Sequence, residues 1–173
     1  MPRPVLIVDY DPRWPLLFEE EKKLILEIAG HKVLAVEHIG STAVHGLAAK
    51  PIIDMMAGVH GSSDADECLP LLARVGYDHV TPEPDNQEWF YCLGKGPHSV
   101  GYHLHLIRYS SNHWNKHLLF RDYLRKHPDI AKQYEEVKKR MAEKLGSERE
   151  TYTESKTSFI ESVVAQASER HPQ

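Results

Sequence analysis

His38-Ile39-Gly40-Ser41-Thr42-Ala43-Val44-His45-Gly46-Leu47-Ala48-Ala49-Lys50-Pro51-Ile52-Ile53-Asp54 carries the most structural information in the chain. The residues leading into it, Lys32 to Ile39, are β-branched and partly alternating, as in a strand that stops abruptly at Gly40-Ser41-Thr42. Pro51 to Val59 follows, apolar on both faces except for Asp54, which is the pattern of a central strand covered on both sides. A Gly-Ser pair at a strand exit lets the backbone approach a ligand closely. It offers N–H groups and a hydroxyl to phosphate oxygens, most effectively where Thr42 begins a helix. Such a tripeptide alone is commonly a plain turn. Its weight comes from Asp54, a lone carboxylate in an apolar strand, where charge is costly unless a cation or hydrogen bonds compensate it.

Outward from this segment the chain reads as an α+β domain. Asp11-Pro12-Arg13-Trp14-Pro15 opens an amphipathic helix that Gly30 stops, with the Leu16 to Ile28 stripe expected in the core. Ser62 or Ser63 is expected to cap a second helix, interrupted early by Pro70, that ends near Gly76 with its Leu69 to Val75 stripe buried. Two strands are expected over Glu88 to Leu93 and Tyr102 to Tyr109, joined by the turn Gly94-Lys95-Gly96-Pro97. From Asn112 the pattern is helical, with breaks at His127-Pro128 and Gly146-Ser147. It gives about three helices, the last from Glu148 to about Ala167 with Phe159 to Val164 in the core. One domain over residues 1–173, with a core of about 5–167, accounts for all of this without a linker or repeat.

Composition excludes several classes. Of 173 residues, 21 are Lys or Arg and 25 are Asp or Glu, so no global positive field exists to recruit duplex nucleic acid or an anionic membrane. The start of the chain has neither a signal core nor a basic amphipathic presequence, and no apolar run is long enough to span a bilayer. A cytoplasmic protein is expected. Cys68 and Cys92 lack metal-site or disulfide spacing and read as small buried hydrophobes.

The 12 histidines are the compositional oddity, so their spacing matters. Period-two alternation puts His103 and His105 on one strand face and Tyr102, Leu104 and Leu106 on the other. His113, His117 and Arg121 fall on one helical stripe against which an anionic ligand could lie, unless Asp122 pairs Arg121 internally. Lys50 and Lys156, the latter sharing a helix face with Tyr152, are further candidates for phosphate charge, and either could equally be solvated.

The Gly-Ser turn followed by Asp54 on the next strand resembles the signature of the nucleotidyltransferase superfamily. The whole chain resembles more closely the GrpB family, a bacterial group with that fold, through DYDPRW near the start, EHIGSTAVHGLAAKPIID, the YHLHL strand, FRDYLRKHP, and YTESKTSF over Tyr152 to Phe159. The resemblance implies a nucleotidyltransferase-like mixed sheet with an N-terminal helix and a C-terminal helical group. It also implies a nucleotide or other phosphate-bearing ligand seated at Gly40, Ser41 and Thr42, with Lys50, His117, Arg121 and Lys156 supplying charge. The superfamily's second magnesium carboxylate is replaced by Met56, whose thioether is too soft for that ion. Met56→Asp is therefore expected to restore magnesium affinity if Met56 faces the Asp54 cleft. Where a third carboxylate would stand, this chain has His103 and His105. Asp54 with that pair would suit zinc or another transition metal and a hydrolytic role, and Asp54, His103 and His105 are the candidate catalytic and metal residues. A noncatalytic binding module on the same fold is the remaining reading.

Overall fold

The buried residues of the first helix, α1 (Trp14–Ala29), are Trp14, Phe18, Glu21, Ile25 and Ala29. They recur every three or four positions, so one face meets the sheet. Leu16, expected in that stripe, points outward at 65% exposure because it falls between these positions. The computed structural model describes residues 6–80, 89–96, 101–144 and 149–170, the side chains of 144, 149–157 and 170 excepted. Elements after α1 are β1 (Ala35–Ile39), β2 (Ile52–Val59), α2 (Ser62–Ala73), β3 (Asp78–His79), β4 (Trp89–Lys95), β5 (Gly101–Arg108), α3 (Asn112–Lys126), α4 (Pro128–Lys144) and α5 (Arg149–Arg170).

Five strands form one mixed sheet in the order β1-β2-β5-β4-β3. β2 and β5 pair in parallel, and the other neighbours pair antiparallel. On one face Ile53, Met55, Ala57 and Val59 of β2 join Leu104 and Leu106 of β5 beneath α1 and α2. On the other face Met56 packs with Ile39, Ile107 and Trp114 under α3. β2 is thus covered on both sides, as its run of apolar residues around Asp54 implies. A second cluster joins Val44 and Leu47, from the β1–β2 connection, to Phe120, Tyr123 and Leu124 of α3, Tyr134 of α4 and Val163 of α5. The connection is therefore part of the packed interior rather than a loose surface loop.

Several expected boundaries move. β1 begins at Ala35, because Gly30–Lys32 form a tight 3-10 turn first. Gly61 precedes α2 and no side chain caps that helix, so neither Ser62 nor Ser63 has the expected role. Pro70 lies inside α2, which continues through it to Ala73, so the expected early interruption does not occur. Gly94 and Lys95 belong to β4 rather than to a turn, each paired with β5. Glu88, Pro97 and Gly146-Ser147 lie outside the described residues. Both cysteines are buried and unbridged.

The sequence pattern offers no warning of Glu21, 6% exposed on an otherwise apolar face. Its Oε1 accepts hydrogen bonds of 2.8 Å from Tyr77 Oη and from Lys95 Nζ, so the charge is paired where it is buried. Among the described residues, no helix is long and apolar enough to cross a membrane.

Candidate functional site

Gly40 ends β1 with φ of +72°, a conformation that side chains on L-residues rarely adopt. A Cβ there would lie 3.0 Å from Asp54 Oδ2, so glycine also provides the space into which the Asp54 carboxylate fits. The pairing is set by the sheet, which places Ile39 opposite Asp54 and Asp54 beside His103. His103 Nδ1 approaches Asp54 Oδ1 to 3.6 Å, and the two side chains are 39% and 33% exposed, so both reach solvent.

The next three residues, Ser41–Ala43, form a single 3-10 turn rather than the start of an α-helix. No helix dipole therefore points from Thr42 toward a ligand. Charge comes instead from α4, where Lys138, only 3% exposed, donates from Nζ to Ser41 Oγ at 2.7 Å and to the Ala48 carbonyl at 2.9 Å. Glu135, one helical turn earlier, accepts from the Ala48 N–H at 3.1 Å. The two side chains grip both polar groups of Ala48 and fix the β1–β2 connection against α4. Sequence reading overlooked Lys138. The signal was available in Ala131, Tyr134 and Lys138, which recur at three- and four-residue spacing, so a lysine occupies a buried helical stripe.

Thr42 is buried and structural. Its hydroxyl donates to the Ile52 carbonyl at 3.1 Å, so the 2.9 Å contact with His38 Nε2 is an N–H donated by the histidine. His38 also stacks on Phe18, with ring centroids 4.8 Å apart. Burial lowers its pKa from 6.5 to about 4, with Arg125 and Arg121 adding to the effect and Asp54 opposing it. The folded protein holds this imidazole neutral while the unfolded chain protonates it. Its contribution is therefore complete above pH 6.5 and falls away as pH drops toward 4, a loss on the order of 3 kcal/mol. His38→Gln, which cannot titrate, is expected to flatten that part of a urea-midpoint against pH curve. A slope identical to wild type would refute the assignment.

The remaining candidates separate. Arg121, with an 11% exposed side chain, bonds to Glu37 at 2.6 Å, to Asp122 at 2.9 Å and to the His38 carbonyl, so it closes an internal ion pair instead of facing an Asp54 cleft. His113 and His117 do share a helix face, their Nε2 atoms 3.1 Å apart. They gather with His105 around the Trp89 ring at centroid distances of 4.5, 5.1 and 4.4 Å. His105 thus lies on the expected face of β5 but serves a different cluster from Asp54 and His103. Lys50 is half-buried just before β2. Lys156 and Tyr152 lie on α5, with their side chains outside the described residues.

This donor set bears on metals. Met56 shares the Asp54 face, yet it is fully buried under Trp114 and contributes nothing to the solvent-reached pair. Among the described residues no three His, Cys, Asp or Glu side chains are arranged to hold a metal ion. Among the described residues, Asp54, His103 and His105 do not gather into a His/His/carboxylate set.

The model of the GrpB protein family matches residues 4–166. The chain belongs to the GrpB family. A UPF0157 protein of Halalkalibacterium halodurans is 37% identical over 164 residues, covering 94% of this chain and 82% of the relative. The glutamate-rich protein GrpB of Alkalihalophilus pseudofirmus is 35% identical over 163 residues, covering 92% and 94%. The crystal structure of conserved protein GrpB from Enterococcus faecalis superposes with a TM-score of 0.82 at 34% identity, covering 95% of this chain and 98% of that one. The mixed five-stranded sheet and flanking helices described above are thus shared with a GrpB protein of known structure, and the named relatives are bacterial.

Proposed function

We propose that this GrpB protein binds a phosphate-bearing small molecule, a nucleotide being the leading class, at the Gly40–Ser41 turn, in the manner of a nucleotidyltransferase-like fold that retains binding. One observation carries the reading. At a single strand exit the structure joins a glycine shaped around the Asp54 carboxylate, a hydroxyl, and a buried ammonium 2.7 Å from that hydroxyl. A cation withdrawn from water exerts its field through a medium of low dielectric and favours an anion on the outer side of Ser41. His103 and Asp54, both solvent-reached, offer hydrogen bonds to the body of the ligand. Asp54 is also the residue that would hold a magnesium accompanying a triphosphate, and the ion would there neutralise phosphate charge. Met56, at the position of the second carboxylate, is covered, which favours binding over a two-metal transfer.

The experiment is calorimetric titration of a nucleoside triphosphate with and without magnesium. Wild type should bind. Ser41→Leu should weaken binding about tenfold or more by blocking close approach, and Asp54→Asn should remove the magnesium dependence while leaving the fold intact. Unchanged affinity in a well-folded Ser41→Leu protein would move the site elsewhere.

A further inference from the structure

At the open edge of β1, α1 and α3 enclose a groove of about 270 Å³. Phe18, Glu19 and Lys22 line it from α1, Arg121 and Arg125 from α3, and Glu37, His38 and Ala43 from the strand and the turn that follows. We propose that this groove binds a small monocarboxylate with a flat apolar body, its carboxylate on the Arg125 guanidinium and its body against Phe18.

Anchoring and size lead to that class. Arg121 is already taken by Glu37 and Asp122, which leaves Arg125 as the α3 cation that can meet a ligand in the groove. Arg125 Nε donates to the Ala43 carbonyl at 2.9 Å, which fixes the plane of the guanidinium, while among the described residues the carboxylate nearest its Nη1 is Asp122 at 4.0 Å. A guanidinium held at Nε presents its Nη groups as a fork suited to bidentate carboxylate. Burial and the neighbouring Arg121 cation disfavour the charge on Arg125 while Asp122 and Glu37 favour it, and a bound anion would act in the same sense as those carboxylates. Phe18, backed by the stacked and neutral His38 ring, gives the apolar wall. A volume of about 270 Å³, at the lower end of the roughly 300–1,000 Å³ typical of ligand pockets, suits a single ring bearing one acid group.

The test uses benzoate, benzyl alcohol as its uncharged analogue, and inorganic phosphate, each titrated into the full chain and followed by NMR. Benzoate should saturate with shifts at Phe18 and Ala43, benzyl alcohol should not, and Arg125→Gln should weaken benzoate about tenfold. Where Arg125→Gln does not fold, Arg125→Lys keeps the charge but loses the fork and must still bind several-fold more weakly. Absence of saturable binding to wild type, equal affinity for benzyl alcohol, binding of inorganic phosphate alone, or unchanged affinity in the folded variant would each overturn the proposal. Benzoate should saturate equally with and without a saturating nucleoside triphosphate and magnesium, so this site and the phosphate site fail independently.

Discussion

Met56→Asp is expected to cost about 4 kcal/mol or more, because it exchanges a fully buried thioether for a carboxyl group with no partner in an apolar cluster of Ile39, Ile107 and Trp114. Against the 5–15 kcal/mol that typically separates folded from unfolded domains, that is a large share. The pH dependence identifies the cause. A carboxyl buried without compensation has its folded pKa raised, so the native state keeps a proton that the unfolded chain releases, and stability falls as pH rises above the usual carboxylate range. Urea unfolding at pH 5 and pH 8 should show a greater deficit at pH 8, with no recovery on adding magnesium. Met56→Leu, a volume-conserving change, should cost under about 1.5 kcal/mol. A stable Met56→Asp protein that gains magnesium affinity would instead mean that this position opens to the Asp54 cleft, as the superfamily resemblance alone led one to expect.

Lys138→Met should destabilise by about 2–3 kcal/mol and abolish phosphate binding. Methionine preserves most of the side-chain volume, so the loss isolates the ammonium and its bonds to Ser41 Oγ and the Ala48 carbonyl. Leaving a buried carbonyl unsatisfied costs about 1–3 kcal/mol, and relief of the buried charge offsets part of the total. Glu135 still holds the Ala48 N–H, so the connection should loosen rather than detach. A double-mutant cycle with Ser41→Ala separates the terms, since the Lys138–Ser41 coupling should be on the order of 1 kcal/mol. Coupling near zero, with stability unchanged in the single variant, would show that Lys138 does not hold the turn.

What could be read from sequence, and what could not, follows the range of the forces involved. Strand β2 was legible because a short run, apolar on both faces except for Asp54, matches a strand covered on both sides. The facing of His103 and His105 followed from the two-residue period of a strand, and the α3–α4 break from the restriction that Pro128 imposes on His127. The partners of these residues were not legible. Whether His105 meets Asp54 or Trp89 depends on where β4 lies beside β5, and nothing local fixes that. Arg121 illustrates the same point. Asp122, its neighbour in sequence, was named as a partner, but Glu37, 84 residues away, was not. Pro70 was over-read as a helix breaker because its effect depends on how much helix remains beyond it.

The most direct test of the binding site is a crystal structure of the protein with a nucleoside triphosphate and magnesium. Phosphate oxygens within hydrogen-bonding distance of Ser41 Oγ, on the side of the turn backed by Lys138 and beside Asp54, are the predicted result. A triphosphate ordered at the Trp89 histidine cluster or in the α1–α3 groove, with the Gly40–Ser41 turn left in water, would contradict it.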